Sequence, residues 1–230
     1  MTRRVLLFLS FILFASGAAL ADGFVYLSQD KVDLAKLLPP PPDPQSLAQK
    51  RDLAAVLEIQ QKRTPEQTKR AIADNELSIF RFQDVLGPGF TAERLPLTVE
   101  FFKRMHGDAR LLINATKDVW NRPRPYLVSS EVRPLGEKPR TMWSYPSGTT
   151  IFGSLTAIVL ANMVSEKRAE LFARADEYGA NRVVIGVHYP TDVEASRIAA
   201  TVMAAAFMQD PAFMTEFGAA RSELRGVLGL

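Results

Sequence analysis

The sequence predicts a single all-α domain, a helical bundle. Three observations carry this: apolar residues recur at helical spacing over most of the chain, alternating apolar and polar runs are nearly absent, and Ser, Thr, Pro and Gly punctuate the periodic segments. No internal repeat divides the chain.

The elements follow in order. Ser46 can cap a helix reaching about Gln60, with Leu47, Leu53, Ala54, Leu57 and Ile59 on or near its inner side. Thr64-Pro65-Glu66-Gln67 is a capping box with proline at the first helical position. It opens a helix toward Leu86, which Gly87-Pro88-Gly89 ends. The next helix runs from about Ala92 or Pro96 to Trp120, contains His106, and carries Lys117 in its last turns. Arg122-Pro123-Arg124-Pro125 cannot continue it. Residues 126–146 read as an ordered loop broken by Pro134, Gly136 and Pro139, long enough to suggest a function. Four helices follow, at about 148–163, 166–187, 191–208 and 211–227, and the bundle is expected to pack around a buried pair.

The N-terminus has a different character. Arg3 and Arg4 precede an apolar run at 5–14 and a small-residue stretch at 15–21 that ends in Ala19-Leu20-Ala21. This is the pattern of a secretory leader cleaved after Ala21, and its apolar core is short of the roughly 20 residues a spanning helix needs. The expected division is a leader at 1–21, a proline-rich arm at 22–45 containing Pro39-Pro40-Pro41-Pro42, and one domain at 46–230. The expected location is periplasmic or secreted, with no membrane span in the mature chain.

Composition narrows the chemistry. Cleavage removes two arginines and no acid, so 28 basic against 25 acidic residues becomes 26 against 25, and no nucleic-acid partner is expected. The chain has no Cys, which excludes disulfides and thiolate chemistry, and only two His, which argues against a multi-histidine zinc site.

Three segments hold residues suited to a bound phosphate. Lys117 offers a point charge, and Arg124, directed by the following Pro125, offers a planar fork. Pro146-Ser147-Gly148 precedes an apolar helix whose unpaired amides and dipole favour an anion, with Thr149 in its first turn. Arg182, His188 and Asp192 come last. Asp192 is four residues beyond His188, close enough to bond one ring nitrogen and leave the other free as a nucleophile.

Jointly these segments resemble the signature of the PAP2 superfamily: Lys and Arg-Pro with six residues between them, then Pro-Ser-Gly-His, then Ser-Arg, His and Asp. The sequence supplies Lys117 with Arg124-Pro125, Pro146-Ser147-Gly148, and Asn181-Arg182 with His188 and Asp192. With the leader and the proline arm, it is similar to bacterial class A non-specific acid phosphatases over essentially the whole mature chain. The resemblance implies an acid phosphatase acting on small phosphorylated substrates. His188 would form a phosphohistidine and Asp192 would orient it. Lys117, Arg124, Arg182, Ser147, Gly148 and Thr149 would bind the phosphate. No cofactor or metal is implied, inorganic phosphate or vanadate would act as product or inhibitor, and a homo-oligomer stays open.

The chain departs from the family at two positions: Asn181 stands for the usual Ser, and Thr149 for the His that protonates the leaving alkoxide. A Thr hydroxyl is a poor general acid, a function typically worth about 10²–10⁴ in rate. His106, Asp118 and water are the alternative proton sources. A phosphate-binding module without turnover is the second reading, and a vanadate-dependent oxidation the third.

Overall fold

The computed structural model describes residues 23–230, so the leader expected at 1–21 lies outside the described residues. The helices run in the order α1 (Leu34–Leu37), α2 (Leu47–Lys62), α3 (Pro65–Ala73), α4 (Gln83–Leu86) and α5 (Pro96–Trp120). Then come α6 (Pro125–Val128), α7 (Gly148–Met163), α8 (Arg168–Val184), α9 (Pro190–Phe207) and α10 (Pro211–Leu228). Among the described residues the only β pairing is an isolated antiparallel bridge between Pro123 and Trp143, so the fold is all-α as expected.

Local chemistry sets most boundaries. Ser46 accepts from the Gln49 amide at the start of α2, and Thr64 and Gln67 form the reciprocal capping box of α3. Asn121 takes the left-handed conformation after α5, φ 47°, and ends that helix one residue before Arg122.

Helix α7 is the centre of the bundle. It carries no charged residue and packs against α8, α9, α5 and α10. A Cβ at Gly153 would sit 2.9 Å from the Tyr178 ring, so glycine is what lets α7 approach α8 this closely. Both α8 and α9 keep exposed faces, at Glu170 and Asp176 and at Glu194 and Thr201. The expected buried pair is therefore one central helix with amphipathic neighbours.

Four further expectations are corrected. The helix expected to reach Leu86 stops at Ala73 and resumes as a 3₁₀ turn at Ile79–Phe82 followed by α4. Asp74 explains the break. Its buried carboxylate takes both Nη1 and Nη2 of Arg174, at 2.9 and 2.6 Å, along with Arg81 Nε at 3.0 Å and Asn181 Nδ2 at 2.8 Å. Burial opposes ionisation of Asp74, but Arg174, Asn181 and Arg81 hold its carboxyl below the usual range.

On α2, Leu47 and Ala54 are exposed and Leu53, Leu57 and Ile59 only half-buried, whereas Gln49, Asp52 and Val56 are buried. This helix docks through a polar ladder. The loop expected at 126–146 contains the end of the short helix α6, and the helix expected to reach 187 ends at Val184, before Gly186 at φ 73°.

The arm is fastened rather than loose. The Asp108 carboxylate of α5 accepts from the amides of Val25, Tyr26 and Leu27 at 2.8, 2.7 and 2.8 Å. Tyr26 then packs edge-on to Phe207 and Phe213, and Tyr145 donates its hydroxyl to the Pro39 carbonyl just before the turn into α7. The arm thus braces the segment that opens the site.

Asp74→Ala should destabilise the fold by about 3–5 kcal/mol, because it removes the bidentate partner of the buried Arg174 guanidinium and the acceptor of Asn181. Denaturant unfolding reads this directly; a loss below about 1 kcal/mol would show that the buried pair is not what holds the α3–α8 contact.

Candidate active site

The three segments meet where the end of α5, the start of α7 and the turn from α8 to α9 converge. Lys117, Arg124, Gly148, Thr149 and His188 line one cavity of about 680 Å³. Lys117, Arg124 and His188 form its buried, cationic end.

Each cation is held by backbone oxygens. Lys117 Nζ donates to the Trp143 and Pro146 carbonyls at 3.0 and 2.6 Å, leaving one ammonium proton unassigned. Burial, then the nearby Arg124 charge, push Lys117 down to about 7 against the pull of Asp192. Arg124 donates through Nε to Thr141 at 2.8 Å and through Nη1 to Val187 at 2.9 Å. The loop at 129–146 therefore helps to shape the site through Thr141 and Trp143.

The same Arg124 Nη1 lies 3.1 Å from His188 Nε2, and His188 Nδ1 lies 3.2 Å from Asp192 Oδ2. A guanidinium only donates, so Nε2 must be the acceptor and Nδ1 must carry the ring proton toward Asp192. Burial first, then the Arg124 charge, push His188 down to about 3, so the ring stays neutral through the acid range. This is the tautomer that a nucleophile at Nε2 requires.

Asp192 is positioned from several sides. Its Oδ2 also accepts from the Tyr189 amide at 2.9 Å, and its Oδ1 from Arg122 Nη1 at 2.6 Å. Arg122 bonds in turn to Asp52 and Gln49 of α2, both at 2.6 Å, and lies 4.0 Å over the Tyr189 ring. Burial works against ionisation of Asp192, but His188 and Arg122 hold it below its ordinary range. Arg122, Asp52 and Gln49 escape the sequence reading, because a buried polar helix face is the reverse of an apolar stripe. The signal available was Asp52 and Gln49 at i and i+3 beside Val56, on a helix whose leucines lie off that face.

Ser147 caps α7, its Oγ accepting from Thr150 Oγ1 at 2.9 Å, so its own proton is free to donate. Its amide donates to Ser196 Oγ at 2.8 Å. The next amides, of Gly148 and Thr149, have no intrahelical acceptor. A Cβ at Gly148 would meet only Ile113, at 3.7 Å, so packing does not demand glycine there.

Arg182 is buried but differently engaged. Its Nη1 and Nη2 donate to Asn75 Oδ1 at 2.6 Å and the Ala71 carbonyl at 2.7 Å, and its Nε is buried without a partner. It does not line the cavity, and neither do Ser147 and Asp192. Asn181 bonds Asp74, which shapes the break that presents Asn75 to Arg182.

His106 lines the same cavity but at its other end. Its Nε2 is 2.9 Å from Thr156 Oγ1, and its ring stacks on Phe152 with centroids 4.0 Å apart. Thr156 is two helical turns past Thr149, about 10 Å along α7. Burial pushes His106 down to about 3, which favours the neutral ring over the imidazolium. Asp118 is exposed and does not line the cavity.

Residues 107–215 match the PAP2 superfamily. The chain is 30% identical over 204 residues to a non-specific acid phosphatase of Salmonella typhimurium, spanning 85% of this chain and 82% of that one. It is 29% identical to a non-specific acid phosphatase of Providencia stuartii, spanning 88% and 85%. A transmembrane PAP2-type phosphatidylglycerolphosphate phosphatase from Bacillus subtilis shares the fold, with a TM-score of 0.52 and 19% identity over 78% of this chain and 92% of that one. No described helix of this chain is long and apolar enough to cross a membrane.

Two substitutions test the geometry. Arg122→Lys keeps the charge but loses the fork, and should lower kcat about 100-fold by misplacing the dyad, with little change in KM. Gly148→Ala should weaken inhibition by inorganic phosphate while leaving the melting midpoint unchanged; a fall in the midpoint would assign the glycine to packing instead. With its fold, its ordered site and its similarity to acid phosphatases over most of their length, the chain belongs to the PAP2 superfamily.

Proposed function

We propose that this chain is an exported acid phosphatase that hydrolyses phosphomonoesters through a phosphohistidine on His188. The observation that carries this reading is the neutral His188 ring. Its proton sits on Nδ1 facing Asp192 and its Nε2 faces the cationic end of the cavity. The leader pattern at 1–21 supports export to the periplasm or beyond.

A bound phosphoryl group competes with Nε2 for the Arg124 guanidinium and draws it away, uncovering the lone pair. Nε2 then attacks phosphorus in line, forming the N–P bond as the ester P–O bond breaks. Lys117, Arg124 and the first amides of α7 hold the equatorial oxygens, with Ser147 and Arg182 contributing from behind the cavity wall. Asp192 stabilises the positive charge that develops on the ring. Water then attacks the phosphoimidazole, the N–P bond breaks, and inorganic phosphate leaves.

Thr149 leaves the departing oxygen to be protonated by water. The cost falls most heavily on alkyl esters, whose alkoxides are strongly basic, and least on aryl esters, whose phenolates leave unaided. His188→Ala should abolish turnover of every ester. Thr149→His should raise the rate on alkyl esters toward the 10²–10⁴ that a general acid typically supplies, with a smaller gain on aryl esters. Equal native rates on the two classes would contradict the missing-acid argument. Binding of phosphate or vanadate without any turnover would favour the binding-module reading, which Thr149 alone supports.

The pH profile follows from two groups. His188 attacks only when neutral, and burial keeps it neutral down to about 3. Lys117 binds phosphate only when charged, and its lowered value near 7 means it loses that charge as pH rises through neutrality. Activity should therefore lie between these limits. Lys117→Arg, which cannot deprotonate in this range, should move the alkaline limb upward; an unmoved limb would assign it to another group.

A further inference from the structure

We infer that the outer part of the cavity is a binding subsite for an aromatic group joined to the phosphate, so that aryl phosphomonoesters are the favoured substrates of this site. The inference rests on the phosphatase reading above and adds a specificity element to it. A phosphate group fills only a small part of a 680 Å³ cavity, which is of the size that takes an organic ligand. The rest must accommodate something else.

The walls say what. Beyond Lys117, Arg124 and His188 the lining turns apolar, with Phe80, Phe102 and Phe152 among its residues and Ile79, Val99 and Ile113 between them. Ile79 and Phe80 come from the 3₁₀ turn after the Asp74 break, Phe102 from α5 and Phe152 from α7, so three elements converge on it. Phe152 stands one turn past Thr149 on α7, and both line the cavity.

His106 belongs to the same wall. Its neutral ring stacks on Phe152 with an interplanar angle of 28° and lies 6.0 Å from the Phe102 ring, and its Nε2 is held by Thr156. The result is a layered aromatic surface; Ser78, Lys103, Arg110 and Asn114 also line the cavity but are not part of that stack, and a sugar or glycerol hydroxyl set against the rings would lose its water without replacement. Aromatic rings gain edge and face contacts there that a flexible alkyl chain does not. The missing acid at Thr149 acts in the same direction, because an aryl oxide needs no proton in order to leave. Binding and reactivity thus favour one class of substrate.

Non-hydrolysable phosphonates separate these two effects, since they report binding alone. Competitive inhibition by benzylphosphonate, methylphosphonate and decylphosphonate should be measured against turnover of 4-nitrophenyl phosphate by the full mature chain. Benzylphosphonate should bind about 10-fold or more tightly than methylphosphonate, the gain expected for burying one ring. Phe152→Leu, which keeps the core filled, should reduce that ratio, and His106→Ala should do the same, while methylphosphonate inhibition stays within about twofold of native. Equal inhibition by benzyl and methyl compounds would overturn the subsite. A decyl compound binding more tightly than the benzyl one would overturn the aromatic assignment in favour of a lipid-like chain. Absence of turnover on any phosphomonoester would instead count against the phosphatase reading itself, and thermal-shift titration with the same phosphonates would still test the subsite.

Discussion

The arrangement depends on one buried carboxylate, Asp192. It has no solvent exposure, and each of its oxygens is committed: Oδ1 to Arg122, Oδ2 to His188 and to the Tyr189 amide. An unpaired carboxylate there would be expensive, so the surrounding groups are obliged to converge on it. Arg122 brings in Asp52 and Gln49 and thereby docks α2, while Ser196, bonded to the Asp192 carbonyl at 2.5 Å, holds the Ser147 amide at the entry to α7. Helix α2, the turn into α7 and the histidine are thus tied through one residue, α2 and His188 by its carboxylate and the turn by its backbone carbonyl. The fastening that stabilises the fold is also what sets the tautomer of His188.

Much of this was legible in the sequence, and what was not shares a physical reason. Helix ends marked by Ser46, by the Thr64–Gln67 box and by Pro-rich segments lie where expected, because capping is local chemistry. The break at Asp74 was not legible. Nothing within several residues of it forbids helix, and the decision comes from Arg174 and Asn181, about a hundred positions away. The inner face of α2 was misread for the same reason. Its leucines suggested an apolar stripe, but the partner awaiting it is the Arg122 guanidinium, and a buried arginine selects Asp52 and Gln49. At the site, Lys117, Arg124 and His188 come together as their spacing implied, while Arg182 stands behind the cavity wall on Asn75 and Ala71.

Position 149 gives the chain its individual character. The cationic end and the nucleophile are built without it, and Thr149 faces the cavity between them and the aromatic wall. His106 is the one other histidine, with its ring stacked on Phe152 and its Nε2 at Thr156, two turns past Thr149 on α7. On the proposed reading, a site that binds and attacks phosphate but leaves departure to the ester itself sorts its substrates by leaving group.

The central claim is that the neutral His188 ring is the group that takes the phosphoryl. Rapid mixing with an aryl phosphate, quenching in base to preserve phosphoimidazole, and peptide mass spectrometry test it most directly. The predicted result is one phosphoryl group on the peptide containing His188, formed within the first turnover and lost as inorganic phosphate appears. Continued turnover with no phosphoryl group on that peptide at any time would contradict it.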